Sequence, residues 1–386
     1  MASTRTSDPV GAQRSDRKPS SSIRAAGRNG AEGQRVYLGV QILRGIAASL
    51  VVLHHNSLTM AIRAHDTHLG FSAGQSGVDV FFTISGFVMV LVTASSWGRS
   101  GVAVPFLIRR IIRVVPLYWI FTALKILLIL LLPSLVINTV MTPWHVAASF
   151  LFIPTHFFFP ILQVGWTLSY EMLFYLLFTG LLFMCVRPVA WLSVLLTILA
   201  IAGLYRTEAW GAPTILLSPL LVEFVFGMFI GLAAVQGRFL PVRFALALAS
   251  ISFAALLLSN VLGTAAEPFR LLFWGIPGAL LLASVVALED WLRTRPIKWL
   301  VQVGAASYSL YLLHTMVLGA VWVAASKAKM THGFLSYIVY GGAILTCIGV
   351  AWIIHRLLEA PMTRALTRAY YHNSSKSQTG WRTASE

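Results

Sequence analysis

The chain of 386 residues is 57% hydrophobic and only 11% charged, with a mean hydropathy of +0.77, too little polar surface for a soluble domain of this length. A formal net charge of +16 would suit nucleic acid, but in so apolar a chain a basic excess is first an orientation signal, because cytoplasmic loops collect Lys and Arg. Composition therefore excludes a soluble enzyme and a nucleic-acid partner, and predicts an all-α polytopic membrane protein whose apolar runs lack the alternation of a barrel.

Residues 1–36, rich in Ser, Arg and Gly, read as a disordered basic cytoplasmic tail. A membrane domain follows over 37–365, and 366–386 reads as a second disordered cytoplasmic tail. Spans are predicted near 37–60, 74–95, 107–132, 166–186, 188–205, 213–235, 243–261, 269–288, 301–325 and 334–357, about ten transmembrane helices in all. A further apolar stretch, 144–163, is broken by Pro154 and Pro160 and reads as a re-entrant or interfacial segment. If it does not cross, most loop Lys and Arg fall on the side of the two tails, whereas a crossing there nearly equalises the sides. The first span is too long and begins too late for a cleaved signal. Cys185 and Cys347 both lie in apolar runs and offer neither a disulfide framework nor a metal site.

A charged side chain inside such a span costs about 2.5–3.5 kcal/mol on insertion scales, so each marks a site or a buried pair. In LRGIAASLVVLHHN, residues 43–56, Arg44 and His55 are eleven positions apart. That spacing is about 20° beyond three helical turns and roughly 16 Å along the axis, so the two share one helix face while His54 is turned away. Asp79, in GVDVFFTISGF at 77–87, is placed to face His55 and orient its imidazole, or merely to favour a helix N-terminus. Arg109, Arg110 and Arg113, in FLIRRIIRVVPLYW at 106–119, stand where the third span leaves the cytoplasm. Their i,i+3 and i,i+4 spacing lets guanidiniums converge on a phosphate.

Glu171, in GWTLSYEMLFYLLF at 165–178, enters the outer end of its span and needs a cation, a histidine or substrate hydroxyls. Trp166 and Tyr170 beside it suit interfacial aromatics or a sugar-stacking wall. Glu223 reads as one half of a buried pair. In ASYSLYLLH, residues 306–314, Ser307 and Ser309 read as helix-packing hydroxyls, while Tyr308 and His314 are candidate substrate-binding groups lining the cavity of His55. The chain carries neither a metal-ligand spacing nor a GxSxG nucleophile elbow.

With these residues in order, the chain resembles the acyltransferase 3 family of integral membrane acyltransferases, most closely its exopolysaccharide-modifying O-acetyltransferase branch. The resemblance runs over about 37–365 and is carried by Arg44 with His55, GVDVFFTISGF, Arg110 with Arg113, GWTLSYEMLFYLLF, SYSLYLLH and HRLLEAP at 355–361. It implies transfer of an acyl group, usually acetyl, from an acyl-CoA such as acetyl-CoA to a hydroxyl of a polysaccharide or lipid-linked oligosaccharide, with no permanently bound cofactor. It further implies His55 as catalytic base, Arg44 as its essential partner, Arg110 and Arg113, with Arg109, as ligands of the donor's phosphates, and less defined catalytic roles for Asp79 and Glu171. The expected location is the bacterial inner membrane with both termini cytoplasmic; a homo-oligomer is left open. Two other readings stand beside this one. A proton-coupled transporter or flippase for a polysaccharide or lipid-linked sugar would use His55, Asp79 and Glu171 as a relay. A structural subunit of an export complex would need them only for folding.

Overall fold

The computed structural model describes residues 37–132, 141–155, 159–207 and 209–383, with side chains to 372. The expected N-terminal tail lies outside the described residues. Among the described residues every regular element is helical. They are α1 (Leu38–Ala64), α2 (Ser76–Thr93), α3 (Ala103–Leu131), α4 (Pro143–Phe150), α5 (Trp166–Phe183), α6 (Pro188–Leu204), α7 (Leu221–Val235), α8 (Val242–Leu258), α9 (Ile276–Ala287), α10 (Glu289–Thr294), α11 (Lys298–Ala305), α12 (Ser307–Lys327), α13 (Phe334–Ile354) and α14 (Ala360–Thr383). Local chemistry marks several boundaries. Prolines open α4 and α6 at first-turn positions, where no backbone N–H is needed, and α1 stops where His65 takes a left-handed backbone.

A helix stands at each of the ten expected spans, but only seven helical stretches are long and apolar enough to cross a membrane. An eighth is reached if Gly263–Phe269 and Leu271–Ala287, bent by 95° at Arg270, count as one span. The helices at the other two places, Pro188–Leu204 and Leu221–Val235, fall short in length. Among the described residues seven or eight helical stretches thus meet this measure and the count of ten is not confirmed, because an apolar run read along the sequence does not show where a helix bends or ends. Large apolar side chains such as Trp191, Leu204, Phe229, Ile251 and Leu345 are exposed on the outside of the bundle. Such a surface belongs in lipid, so this is an integral membrane protein.

The segment 144–163 does not form a span. Its described residues contribute the short α4, and the Ile161 N–H donates to the Ser149 hydroxyl while Tyr118 from the middle of α3 donates to the Ser149 carbonyl. The segment 366–386, expected to be disordered, carries the helix of α14 through Thr383.

Small residues set the closest crossings. A Cβ on Gly86 would run into the carbonyl of Phe224, one on Gly227 into that of Thr83, and one on Gly231 would lie 2.9 Å from that of Phe87. Helices α2 and α7 therefore meet backbone to backbone, as small-residue faces allow in membranes. Beside this seam Phe82, Phe224 and Phe174 stack in sequence, at 4.8 and 4.4 Å between ring centres. Replacing Gly227 by Leu should separate the seam and destabilise the fold by ~1–3 kcal/mol or more. A lower midpoint of thermal unfolding in detergent is the expected reading, and an unchanged midpoint would contradict the packing.

Candidate active site

Helices α11 and α12 together serve as a ruler for depth, because they follow α1 in the same direction and touch polar groups at successive turns. Gly45 lies against Gly304 near one end, and His55 against His314 further along. Between these levels the Tyr308 hydroxyl donates to the Val114 carbonyl of α3, and Tyr311 bonds Thr167 and the Val164 carbonyl where α5 begins. Ser309 donates to Glu359 at 2.6 Å.

Near the end where α1 begins, Arg44 lies within electrostatic reach of Arg113, Glu359, Glu171 and Tyr175. Arg110 reaches Tyr175, Arg113 and Glu171. Helices α1, α3 and α5 and the turn before α14 thus converge their charges here. The carboxylates are already engaged. Glu171 accepts from Ser85 at 3.1 Å and from the Tyr175 hydroxyl, and Glu359 accepts from Ser309 and His355. Among the described residues Arg44 and Arg113 make no hydrogen bond or ion pair, and Arg110 keeps Nε buried without a partner. Guanidiniums that converge without bonding to their neighbours keep their N–H donors free for another acceptor. Arg109 stands apart, exposed and donating to the Tyr371 hydroxyl of α14.

Glu171 was expected at the outer end of its span and lies instead at the level of the guanidiniums. The reason is that α5 starts level with Tyr311, already deep in the bundle, so five residues further on is the arginine level. The π turn His355–Glu359 between α13 and α14 rotates His355 and Glu359 toward each other at 2.9 Å.

Further along the same face of α1, the His55 ring meets His314 at 4.8 Å and His54 at 5.1 Å between centres. Nδ1 of His55 lies 3.0 Å from the carbonyl oxygen of Val51. A carbonyl only accepts, so Nδ1 carries the hydrogen and Nε2 keeps a lone pair. His55 is half-buried, so that lone pair is a candidate proton acceptor. His54 points away, with Nδ1 2.9 Å from the Phe71 carbonyl.

Asp79 does not orient His55. Both its oxygens are held by Arg270 at 2.8 Å, and Glu223 packs against the pair with both oxygens buried and unbonded among the described residues. Arg270, which the sequence showed only as a loop charge, sits at the bend before α9, where the chain turns it inward over Trp274. No short-range spacing announces this pair, because its members are 191 positions apart. Ser85, Tyr175 and Glu359 were also missed; the i,i+4 spacing of Glu171 with Tyr175 and of His355 with Glu359 is the signal that would have found the last two.

The remaining candidates separate. Trp166 and Tyr170 line a shallow cleft with Phe152, Pro154, Ser169 and Leu216; neither His55 nor His314 lines it. The Tyr170 hydroxyl is committed to the Ile215 carbonyl, and that of Tyr308 to Val114. His314 is fully buried. Among the described residues no cluster of three or more His, Cys, Asp or Glu is placed to hold a metal.

Residues 37–356 match the family described as "Acyltransferase domain". The chain belongs to this acyltransferase family. A curated relative, the exopolysaccharide production protein ExoZ of Rhizobium meliloti (strain 1021), is 37% identical over 314 residues, which cover 78% of this chain and 93% of the relative. No solved structure matches. The matched range holds Arg44, His55, Arg110, Arg113 and Glu171 together with the Asp79–Arg270 pair.

In this acyltransferase, replacing Arg270 by Met should leave two carboxyl groups buried without a cation, at a cost of ~3–5 kcal/mol. Adding Asp79→Asn and Glu223→Gln removes that burden and should restore most of the folded fraction seen by size-exclusion chromatography in detergent. Equal losses in the single and triple variants would show that Arg270 acts otherwise.

Proposed function

We propose that the protein transfers an acyl group, most simply acetyl, from acyl-CoA on the cytoplasmic side to a hydroxyl of an exported polysaccharide or its lipid-linked precursor. The observation that carries this reading is a single face of α1 with two stations. Unbonded guanidiniums gather at Arg44, and a histidine with a free Nε2 lone pair stands eleven residues further on, roughly 16 Å along the axis. An extended pantetheine arm bridges such a distance, with its phosphates on Arg44, Arg110 and Arg113 and its thioester beside His55.

In this reading His55 Nε2 takes the proton of the acceptor hydroxyl as its oxygen attacks the thioester carbonyl, then returns a proton to the departing thiolate. Histidine suits both transfers because its ordinary pKa lies near neutrality. Glu171 and Glu359, within electrostatic reach but bonded elsewhere, limit the mutual repulsion of the arginines before the donor arrives. The cleft at Trp166 and Tyr170 is apolar and aromatic, suited to a sugar ring approaching from the far side. The basic N-terminal region supports a cytoplasmic N-terminus in a bacterial inner membrane by the positive-inside rule, and an even number of spans brings the C-terminus to the same side. ExoZ, the relative named for exopolysaccharide production, supports the choice of acceptor class.

Surface polysaccharide from cells lacking the protein should lose acetyl signals in proton NMR, regain them with wild type, and fail to regain them with His55→Ala at matched membrane levels. Acetyl content restored by His55→Ala would remove His55 from the chemistry. In membranes, Arg110→Ala or Arg113→Ala should raise KM for acetyl-CoA by about tenfold to a hundredfold, the loss expected for a charge-assisted contact, and change KM for the polysaccharide little. A KM rise confined to the polysaccharide would place the donor elsewhere.

A further inference from the structure

The protonated form of His55 needs a partner that the reading above does not supply. When the acceptor O–H bond breaks, its proton bonds to Nε2 of His55 and its oxygen bonds to the thioester carbon. The C–S bond then breaks, sulfur leaves with the electron pair, and the proton passes from His55 to sulfur. Between these events His55 is a cation with two N–H groups in an apolar bundle. Nδ1–H remains on the Val51 carbonyl. Nε2–H has no carboxylate to meet: the charges acting on His55 come from His54, Arg270 and Glu267 reach His54, and Asp79 is held by Arg270.

His314 meets the need. Its ring faces His55 edge-on at 4.8 Å, with Tyr311 at 6.0 Å on its other side. Nδ1 lies 3.2 Å from the Leu310 carbonyl, so it too carries the hydrogen and leaves Nε2 as a lone pair. That Nε2 is buried with no hydrogen-bond partner among the described residues, on a side chain with no exposure. A buried, unsatisfied acceptor is costly, and a native structure that keeps one beside a base has a use for it. The expected role of His314 as a substrate contact does not fit a ring sealed from substrate.

We infer that His314 is the positioning residue for His55: its Nε2 accepts the N–H of the protonated base after a small tilt of either ring, and the pair holds one proton between them during the transfer. This rests on the acyl-transfer reading. No carboxylate among the described residues acts on either ring, so the two imidazoles share the task that an acid performs in a Ser–His–Asp arrangement.

The test uses full-length protein in lipid nanodiscs, radiolabelled acetyl-CoA, and polysaccharide purified from a strain lacking the protein. His314→Leu keeps bulk without an acceptor and should lower kcat by about tenfold to a hundredfold, the worth of a hydrogen bond to a charged group, with both KM values nearly unchanged. His314→Gln restores an acceptor and should recover most of that loss. His314→Leu within about threefold of wild type, or equal losses in both variants, would overturn the pairing. Imidazole NMR of ¹⁵N-histidine protein reads the pair without turnover: His55 should take up its proton at lower pH, by about one unit, in His314→Leu than in wild type. An unchanged titration overturns the inference, whereas absence of transfer by wild type overturns only the acyl-transfer reading.

Discussion

Charge buried in an apolar bundle must be matched, and the rest of this structure is arranged around how that requirement is met. Asp79 and Arg270 meet it internally, with two short bonds between the second helix and the bend before α9. The ends of α2, the bend itself and the start of α9 are thereby held together. The small residues at Gly86, Gly227 and Gly231 then bring α7 close enough for Glu223 to join the pair. Such a closed set of charges is spent on structure. Desolvating it costs several kcal/mol per ion, and only near-ideal geometry offsets that cost.

The guanidiniums at Arg44, Arg110 and Arg113 are held differently. Their carboxylate neighbours are within electrostatic reach but bonded to hydroxyls and to His355, so positive charge remains concentrated at one end of the bundle. The contrast separates the two charge clusters functionally, although both consist of arginines and acids in helices of similar composition. In one cluster Arg270 binds both oxygens of Asp79. In the other, Arg44 and Arg113 make no hydrogen bond or ion pair among the described residues.

The histidines occupy a third environment, where polarity comes from backbone carbonyls and from one another. Their Nδ1 atoms are tied to carbonyls of the preceding turn in His55 and His314, so the helix itself fixes which nitrogen bears the hydrogen. An imidazole held this way needs no carboxylate to select its tautomer. Its orientation depends on the two helices staying in register, which the Gly45–Gly304 contact and the bond between Trp322 and Asn56 maintain.

Composition and the positions of Arg44, His55, Arg110 and Arg113 determined the membrane class, the family and the two stations on one face of α1, because helical periodicity within a single span is a local property. Tertiary structure alone decided what the carboxylates do. Asp79 found its cation 191 residues away, and Glu171 lies among the guanidiniums because its helix starts level with Tyr311, deep in the bundle. The pairing of His55 with His314 likewise depends on the register of α1 against α12. Depth, partner and register arise from how helices distant in sequence pack, and no spacing along the chain encodes them.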